Sequence, residues 1–266
     1  MLFVIDVGNS HTVTGLYDGE QLVGKWRLKS DRKQTADELA ISYHTLFGME
    51  GIDTGKIKGV VLASVVPTLE SAWATCCKTK FFQHLDEPLL VVSNANVNEM
   101  ITIKLPNPGE VGADRLVNAI AAYRKFRTHL VVVDFGTAIT FDCVTSRCEY
   151  LGGAIVPGVA ISLEALSTKT AKLPHIDVSD GPDHVIGKST VEAMKAGILY
   201  GYGAMLDGMI AKIKTELTTP EDPQMTVIAT GGMATIVAPY STTIDHIDPL
   251  LTLEGLRHIF YAKHNI

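Results

Sequence analysis

Two Asp-x-Gly phrases hold the residues best suited to chemistry. Asp6-Val7-Gly8 runs into Asn9, Ser10, His11, Thr12 and Val13; Asp134-Phe135-Gly136 runs into Thr137, Ala138, Ile139 and Thr140. Each follows an apolar run, LFVI in the first case and LVVV in the second. One carboxylate at a strand end can simply cap a turn, but the same arrangement twice, half a chain apart, points to a shared task. Glycine lets backbone N–H groups come close to a phosphate, and the hydroxyl and amide side chains add short hydrogen-bonding groups. Carboxylates repel phosphate, so such a site needs a cation between them. The combination reads as metal-assisted nucleotide binding, with two facing turns forming one clamp.

Three further segments offer polar chemistry. In Gly109-Glu110-Val111-Gly112-Ala113-Asp114-Arg115, Asp114 sits at a helix start, where Asp also serves as an N-cap. Arg115 suits a substrate carboxylate or phosphate. Thr230-Gly231-Gly232 follows an apolar strand; two glycines there admit a flat base or ribose, or make an ordinary tight turn. Gly187-Lys188-Ser189 resembles the tail of a P-loop, but Gly181 stands six residues before Gly187 where the motif needs five. A helix start capped by Ser189 or Thr190 fits better, and its N–H groups can face a ligand. Histidines are scattered without ligand spacing, no G-x-S-x-G is present, and the cysteines, Cys76, Cys77, Cys143 and Cys148, form no CxxC pair. Buried reduced thiols and a cytoplasmic location are expected.

These residues need elements to position them. Residues 2–6, 12–17 and 21–28 read as strands, with a hairpin turn at Asp18-Gly19. A helix from Thr35, a strand over 58–66, a helix over 68–85 and a strand over 88–93 follow. Residues 112–128 read as an amphipathic helix where two lobes meet. Strands at 130–135, 139–144 and 148–156 repeat the opening, followed by a helix to about residue 166, a loop over 167–187, a long helix over 189–217, a strand over 225–230, a weak strand over 244–247 and a last helix from Thr252. With a short helix after the Gly231-Gly232 turn, the β-β-β-α-…-α-β-α order recurs at domain scale, dividing the chain at 1–115 and 116–266.

The 266 residues are 46% hydrophobic and 20% charged, with formal net charge −6. That is an ordinary globular composition, and the acidic balance argues against nucleic-acid binding. The densest basic cluster, Lys29, Arg32 and Lys33, is interrupted by Asp31 and reads as a solvated loop. Asp6 and Asp134 interrupt the best apolar stretches, so no membrane span is expected, and the N-terminal run lacks the pattern of a signal peptide.

Together, DVGNS at 6–10, NPGEVGADR at 107–115, DFGTAIT at 134–140, LGGAIVPG at 151–158 and IATGG at 228–232 resemble the type III pantothenate kinases, in the superfamily of actin, sugar kinases and heat-shock chaperones. The resemblance covers the whole chain. It implies an α/β fold of two ribonuclease H-like lobes with mixed sheets, duplicated as in actin and sugar kinases. It also implies ATP-dependent phosphorylation of pantothenate to 4′-phosphopantothenate, the first step of coenzyme A biosynthesis, by a cytoplasmic homodimer. At matching positions it implies that Asp6 to Val13 form the first phosphate loop, with Asp6 organising Mg²⁺ through water. Asp134 would hold a monovalent cation (K⁺ or NH₄⁺), and Thr137 would contact ATP. Gly112, Ala113, Asp114 and Arg115 would line the pantothenate pocket, with Asp114 as general base and Thr190 as a substrate contact. Gly231 and Gly232 would border the adenosine. Ser10 stands where many members carry Thr, and Leu105 where many carry Tyr. The alternatives are a superfamily kinase acting on another small hydroxylated acceptor and a non-catalytic regulatory accessory protein; keeping Asp6, Asp114 and Asp134 favours an enzyme.

Overall fold

The computed structural model describes residues 1–85 and 89–264. It divides into two compact units. The first comprises Met1–Ile101, Asn107–Ala121 and Thr252–Ile266; the second comprises Thr102–Pro106 and Ala122–Leu251.

In the first unit, β1 (Leu2–Val7), β2 (His11–Asp18) and β3 (Gln21–Lys29) form an antiparallel meander, followed by α1 (Ala36–Met49), β4 (Gly59–Ser64), α2 (Pro67–Cys76), β5 (Leu90–Val91) and α3 (Asn94–Val97). The sheet order is β3-β2-β1-β4-β5, with β4 and β5 parallel to β1. Thr35 caps α1 in a reciprocal capping box with Glu38. Pro67 occupies the first turn of α2, where its missing N–H has no helical partner to lose. The expected helix over 68–85 instead leaves α geometry after Cys76 and continues as a π-type turn, Cys77–Phe81. The expected strand over 88–93 shrinks to two residues, and its proposed start, Pro88, lies outside the described residues.

The second unit repeats this plan. After β6 (Thr102–Ile103) and α4 (Ala113–Phe126), which begins within the first unit, come β7 (His129–Phe135), β8 (Ala138–Val144), β9 (Glu149–Pro157), α5 (Val159–Lys169), α6 (Thr190–Leu217), β10 (Met225–Thr230), α7 (Ala234–Val237), β11 (His246–Ile247) and α8 (Leu251–His264). The order is β11-β10-β7-β8-β9-β6, so β7 takes the central place of β1, β8 and β9 the meander, and β10 and β11 the parallel side. Central strands covered on both faces need continuous apolar runs. Accordingly, β1 and β7 are buried throughout except at one half-buried position each, Asp6 and Asp134.

The contacts draw the division differently from a single cut after residue 115. Helix α8 returns to the first unit because its apolar side chains fill space left by glycines there. Phe260 lies where a side chain on Gly59 would stand, and Leu253 lies against Gly15. Gly255 in turn lets α8 approach Val117 and Ala121.

Asp207 on α6 anchors the Ser241–Thr243 segment of the second unit. Its carboxylate accepts hydrogen bonds from Ser241 Oγ (2.6 Å), Thr242 Oγ1 (2.8 Å), Thr243 Oγ1 (2.9 Å) and the Thr242 N–H (3.0 Å). Burial pulls its pKa up, but these four donors outweigh burial and hold the carboxyl below its usual range. A carboxyl with a depressed folded pKa contributes stability above its unfolded value of about 3.9, and that contribution fades as pH falls through the folded value. Asp207→Ala should therefore lose about 2 kcal/mol at neutral pH. Denaturant titrations of the two proteins should converge at strongly acid pH; a constant gap down to that range would contradict this account.

Candidate functional site

The first constellation lies at the carboxyl end of β1. Asp6 is half-buried, and Asn9, Ser10 and His11 are exposed at the tip of the turn. The Gly8 N–H donates to the His11 carbonyl at 3.0 Å, closing the turn, so this N–H is not aimed at a ligand. Ser30 braces the turn from below. Its Oγ donates to the Gly8 carbonyl at 2.7 Å and lies 3.0 Å from the buried Thr12 Oγ1, and its N–H donates to the Ser10 carbonyl at 3.0 Å. Val13 pairs with Asp6 in the β1–β2 register, beyond the turn.

The Gly112–Arg115 segment joins this constellation through Val65. The Val65 N–H donates to the Val7 carbonyl at 3.1 Å, and a side chain on Gly112 would press on Val65 Cγ1 at 3.3 Å. Asp114 is not the cap of α4 but its second residue, following Ala113; one oxygen accepts the Arg115 N–H at 2.8 Å. The same oxygen lies 2.6 Å from where a Gly112 Cβ would stand, so only glycine leaves the carboxylate its position. Asp114 and Arg115 are both half-buried.

The second constellation lies at the carboxyl ends of β7 and β10. Asp134 pairs with Thr140 on one side and Thr230 on the other. The turn is one residue shorter than the first, Gly136-Thr137, and its Gly136 N–H donates to the Ala138 carbonyl at 3.1 Å. Thr137 is exposed. Gly231 has φ of +89°, and a Cβ there would overlap Asp134 Oδ1 and sit 2.7 Å from the Phe135 backbone. Gly232, beside it, is exposed. Gly158, opening α5, packs on the Gly136 and Thr137 carbonyls; a Cβ would come within 2.7 Å of the former. Thus Asp134, Thr137, Gly231 and Gly232 are brought together.

Thr190 has other neighbours. It is the first residue of α6, capped by Ser189, whose Oγ accepts the Glu192 N–H at 3.2 Å; Glu192 accepts the Lys188 N–H at 2.7 Å. Gly187 packs directly on the Glu192–Ala193 backbone. That glycine therefore serves helix packing, in line with setting aside the P-loop reading.

Sequence reasoning gives no role to Ser30 or Arg27 and reads Arg32 as part of a solvated loop. Lys29, at the end of β3, and Arg32 and Lys33 beyond it are exposed, yet Arg32 Nη2 donates to Asn9 Oδ1 at 2.9 Å. The outward alternation of Lys25, Arg27 and Lys29 along β3 was the available signal. Among the described residues no cysteine is in a disulfide; Cys76, Cys77 and Cys143 are buried, and burial lifts the Cys76 thiol to about 12 and the Cys148 thiol to about 11. Among the described residues no helix is long and apolar enough to cross a membrane, and no three His, Cys, Asp or Glu side chains gather as a metal cage. One carboxylate with neighbouring amide and hydroxyl oxygens is a donor set that suits Mg²⁺, which keeps waters and takes phosphate oxygens.

The chain matches the type III pantothenate kinase family over residues 2–212. It is 58% identical over 262 residues to the type III pantothenate kinase of Desulfotalea psychrophila, covering 98% of each chain. Among solved structures it resembles one described as a Baf family transcriptional activator from Campylobacter jejuni, with TM-score 0.60, 19% identity and coverage of 99% of this chain and 100% of that one. It also resembles MreB 5 of Spiroplasma citri bound to AMPPNP, with TM-score 0.57, 10% identity and coverage of 99% and 97%. The latter two likenesses concern the fold, which is the duplicated actin-like and sugar-kinase-like α/β architecture. With that fold, the two Asp-x-Gly turns and full-length similarity, the chain belongs to the type III pantothenate kinase family.

Proposed function

We propose that this protein transfers the γ-phosphoryl group of ATP to the primary hydroxyl of pantothenate, giving 4′-phosphopantothenate for coenzyme A biosynthesis. The observation that carries this reading is full-length membership of the family together with a half-buried Asp at the end of the central strand of each unit. Phosphoryl transfer passes through a loose transition state, so positioning and charge neutralisation dominate.

The first turn, residues 6–13, takes phosphate oxygens through the exposed Asn9 and Ser10, with His11 beside them at the tip, while Asp6 would hold Mg²⁺ through water. Bound Mg²⁺ neutralises phosphate charge. Asp114 accepts the proton of the attacking hydroxyl, and Arg115 holds the acidic substrate by charge-assisted hydrogen bonds. Gly112 and Ala113 supply the pocket wall that leaves Asp114 its space. In the second unit, Asp134 would hold K⁺ or NH₄⁺, Thr137 would contact ATP, and Gly231 and Gly232 would border the adenosine; Thr190 would contact the substrate. The protein acts as a cytoplasmic homodimer. Outward apolar side chains on β9 and α5, namely Leu151, Ile155 and Ile161, support a buried surface there.

A coupled ADP-release assay with ATP and pantothenate tests the reading. Turnover is expected in potassium buffer and a much lower rate in sodium. Absence of turnover in both defeats the function; equal turnover in both leaves the kinase standing and removes the cation role of Asp134.

A further inference from the structure

The basic row on β3 does more than solvate a loop. Asp6 pairs directly with Val13, and Val13 pairs directly with Arg27. Directly opposed residues on neighbouring strands project from the same face of a sheet. Asp6, Val13 and Arg27 therefore stand in one row, with the carboxylate and the guanidinium on either side of a half-buried valine. Neighbouring strands lie about 4.8 Å apart, so the two backbone positions are roughly 10 Å apart across β2. That span suits a cation–polyphosphate pair: the cation on the carboxylate side, the anion toward the arginine.

Arg27 is also held in place. Its Nη2 donates to His11 Nδ1 at 3.0 Å. Receiving that bond requires the Nδ1 lone pair, so His11 is the neutral tautomer with its proton on Nε2. Partial burial first, then the charges of Arg27 and Lys29, hold the His11 pKa below its ordinary value, consistent with that tautomer at neutral pH. Guanidinium has five N–H donors, so donors remain for an anion. Arg32 meanwhile reaches the tip of the same turn through Asn9. Two arginines from outside the Asp-x-Gly phrase thus hold two of its three exposed polar side chains, Asn9 and His11.

We propose that Arg27 contacts the polyphosphate of the nucleotide directly, with His11 as its positioning residue, while Arg32 positions the tip of the first turn through Asn9. The inference rests on the kinase reading above and deepens it. It differs from that reading in placing cationic charge on this turn's phosphate site from an unrelated part of the sequence.

The test is calorimetric titration of the full chain with AMPPNP and Mg²⁺, alongside steady-state kinetics with ATP and pantothenate. Arg27→Met should weaken AMPPNP binding by about 10- to 100-fold, the loss of a charge-assisted hydrogen bond. It should raise the KM for ATP and leave the KM for pantothenate unchanged, with an unchanged melting temperature. Arg27→Lys should fall between, since it keeps the charge but loses the fork. His11→Ala should cost less than Arg27→Met, because it removes only the support. If Arg27→Met fails to fold, Arg27→Gln carries the same comparison. Unchanged AMPPNP affinity in the Arg27 variants overturns the inference, and so does a His11→Ala loss as large as that of Arg27→Met. Wild type that binds AMPPNP yet fails to phosphorylate pantothenate defeats the kinase reading alone; wild type that does not bind AMPPNP defeats both.

Discussion

Asp114→Asn is expected to lower kcat by about 10²–10⁴-fold, the usual contribution of a positioned general base, while AMPPNP binding stays unchanged. Asn is the informative replacement because it preserves the local structure. Asp114 accepts the Arg115 N–H at 2.8 Å, and an amide oxygen can accept the same bond. It also keeps the shape that fits against Gly112. What it removes is the ability to take a proton. Near-normal turnover in a properly folded Asp114→Asn protein would sink the base assignment. A loss of AMPPNP affinity equal to the loss of rate would instead make Asp114 a binding residue.

Gly231→Ala is expected to be the most damaging small substitution near the second turn. Two costs coincide there. A left-handed φ of +89° strains any residue with a Cβ by about 1–3 kcal/mol. The new methyl also overlaps Asp134 Oδ1 and crowds the Phe135 backbone, and overpacking adds about 1–3 kcal/mol. A loss of about 2–6 kcal/mol overall should lower the melting temperature by roughly 4–24 °C in a chain of this size. Because the clash falls on Asp134, the residual activity should also lose its dependence on potassium. Gly136→Ala is the control: it has no positive φ, and its Cβ would lie 3.4 Å from the Ala138 carbonyl and 3.7 Å from Asp134 Oδ1. It should be far milder. Similar melting temperatures for the two variants would refute the account.

These two positions also show how much could be read without coordinates. The strands β1 and β7 were legible because continuous apolar runs ended by Asp-x-Gly have few other uses, and the duplication was legible because both runs carry the same ending. Strand β10 and helix α6 fell where periodicity and capping residues place them. The end of α2 was not legible: the shift into a π-type turn at Cys77 leaves no mark in composition. Nor was the return of α8 to the first unit, because it depends on Phe260 and Leu253 meeting Gly59 and Gly15, residues far away in the chain. In the site, the short-range motifs were visible, but the roles of Ser30, Arg27 and Arg32 were not, because each acts on the first turn from β3 or from the turn that follows it, far along the chain.

From its sequence alone, the chain determined its family, the two Asp-x-Gly turn motifs and the β-β-β-α opening of each half, because these rest on local patterns: apolar runs, glycine turns and capping residues within a few positions of one another. Tertiary structure alone decided that the glycine N–H groups close the turns instead of facing outward, that Gly231 and Gly112 exist to make room for Asp134 and Asp114, and that Asp6 and Arg27 share one face of a sheet. Each of those depends on strand register or on the approach of distant backbone, and neither is encoded within any single stretch of residues.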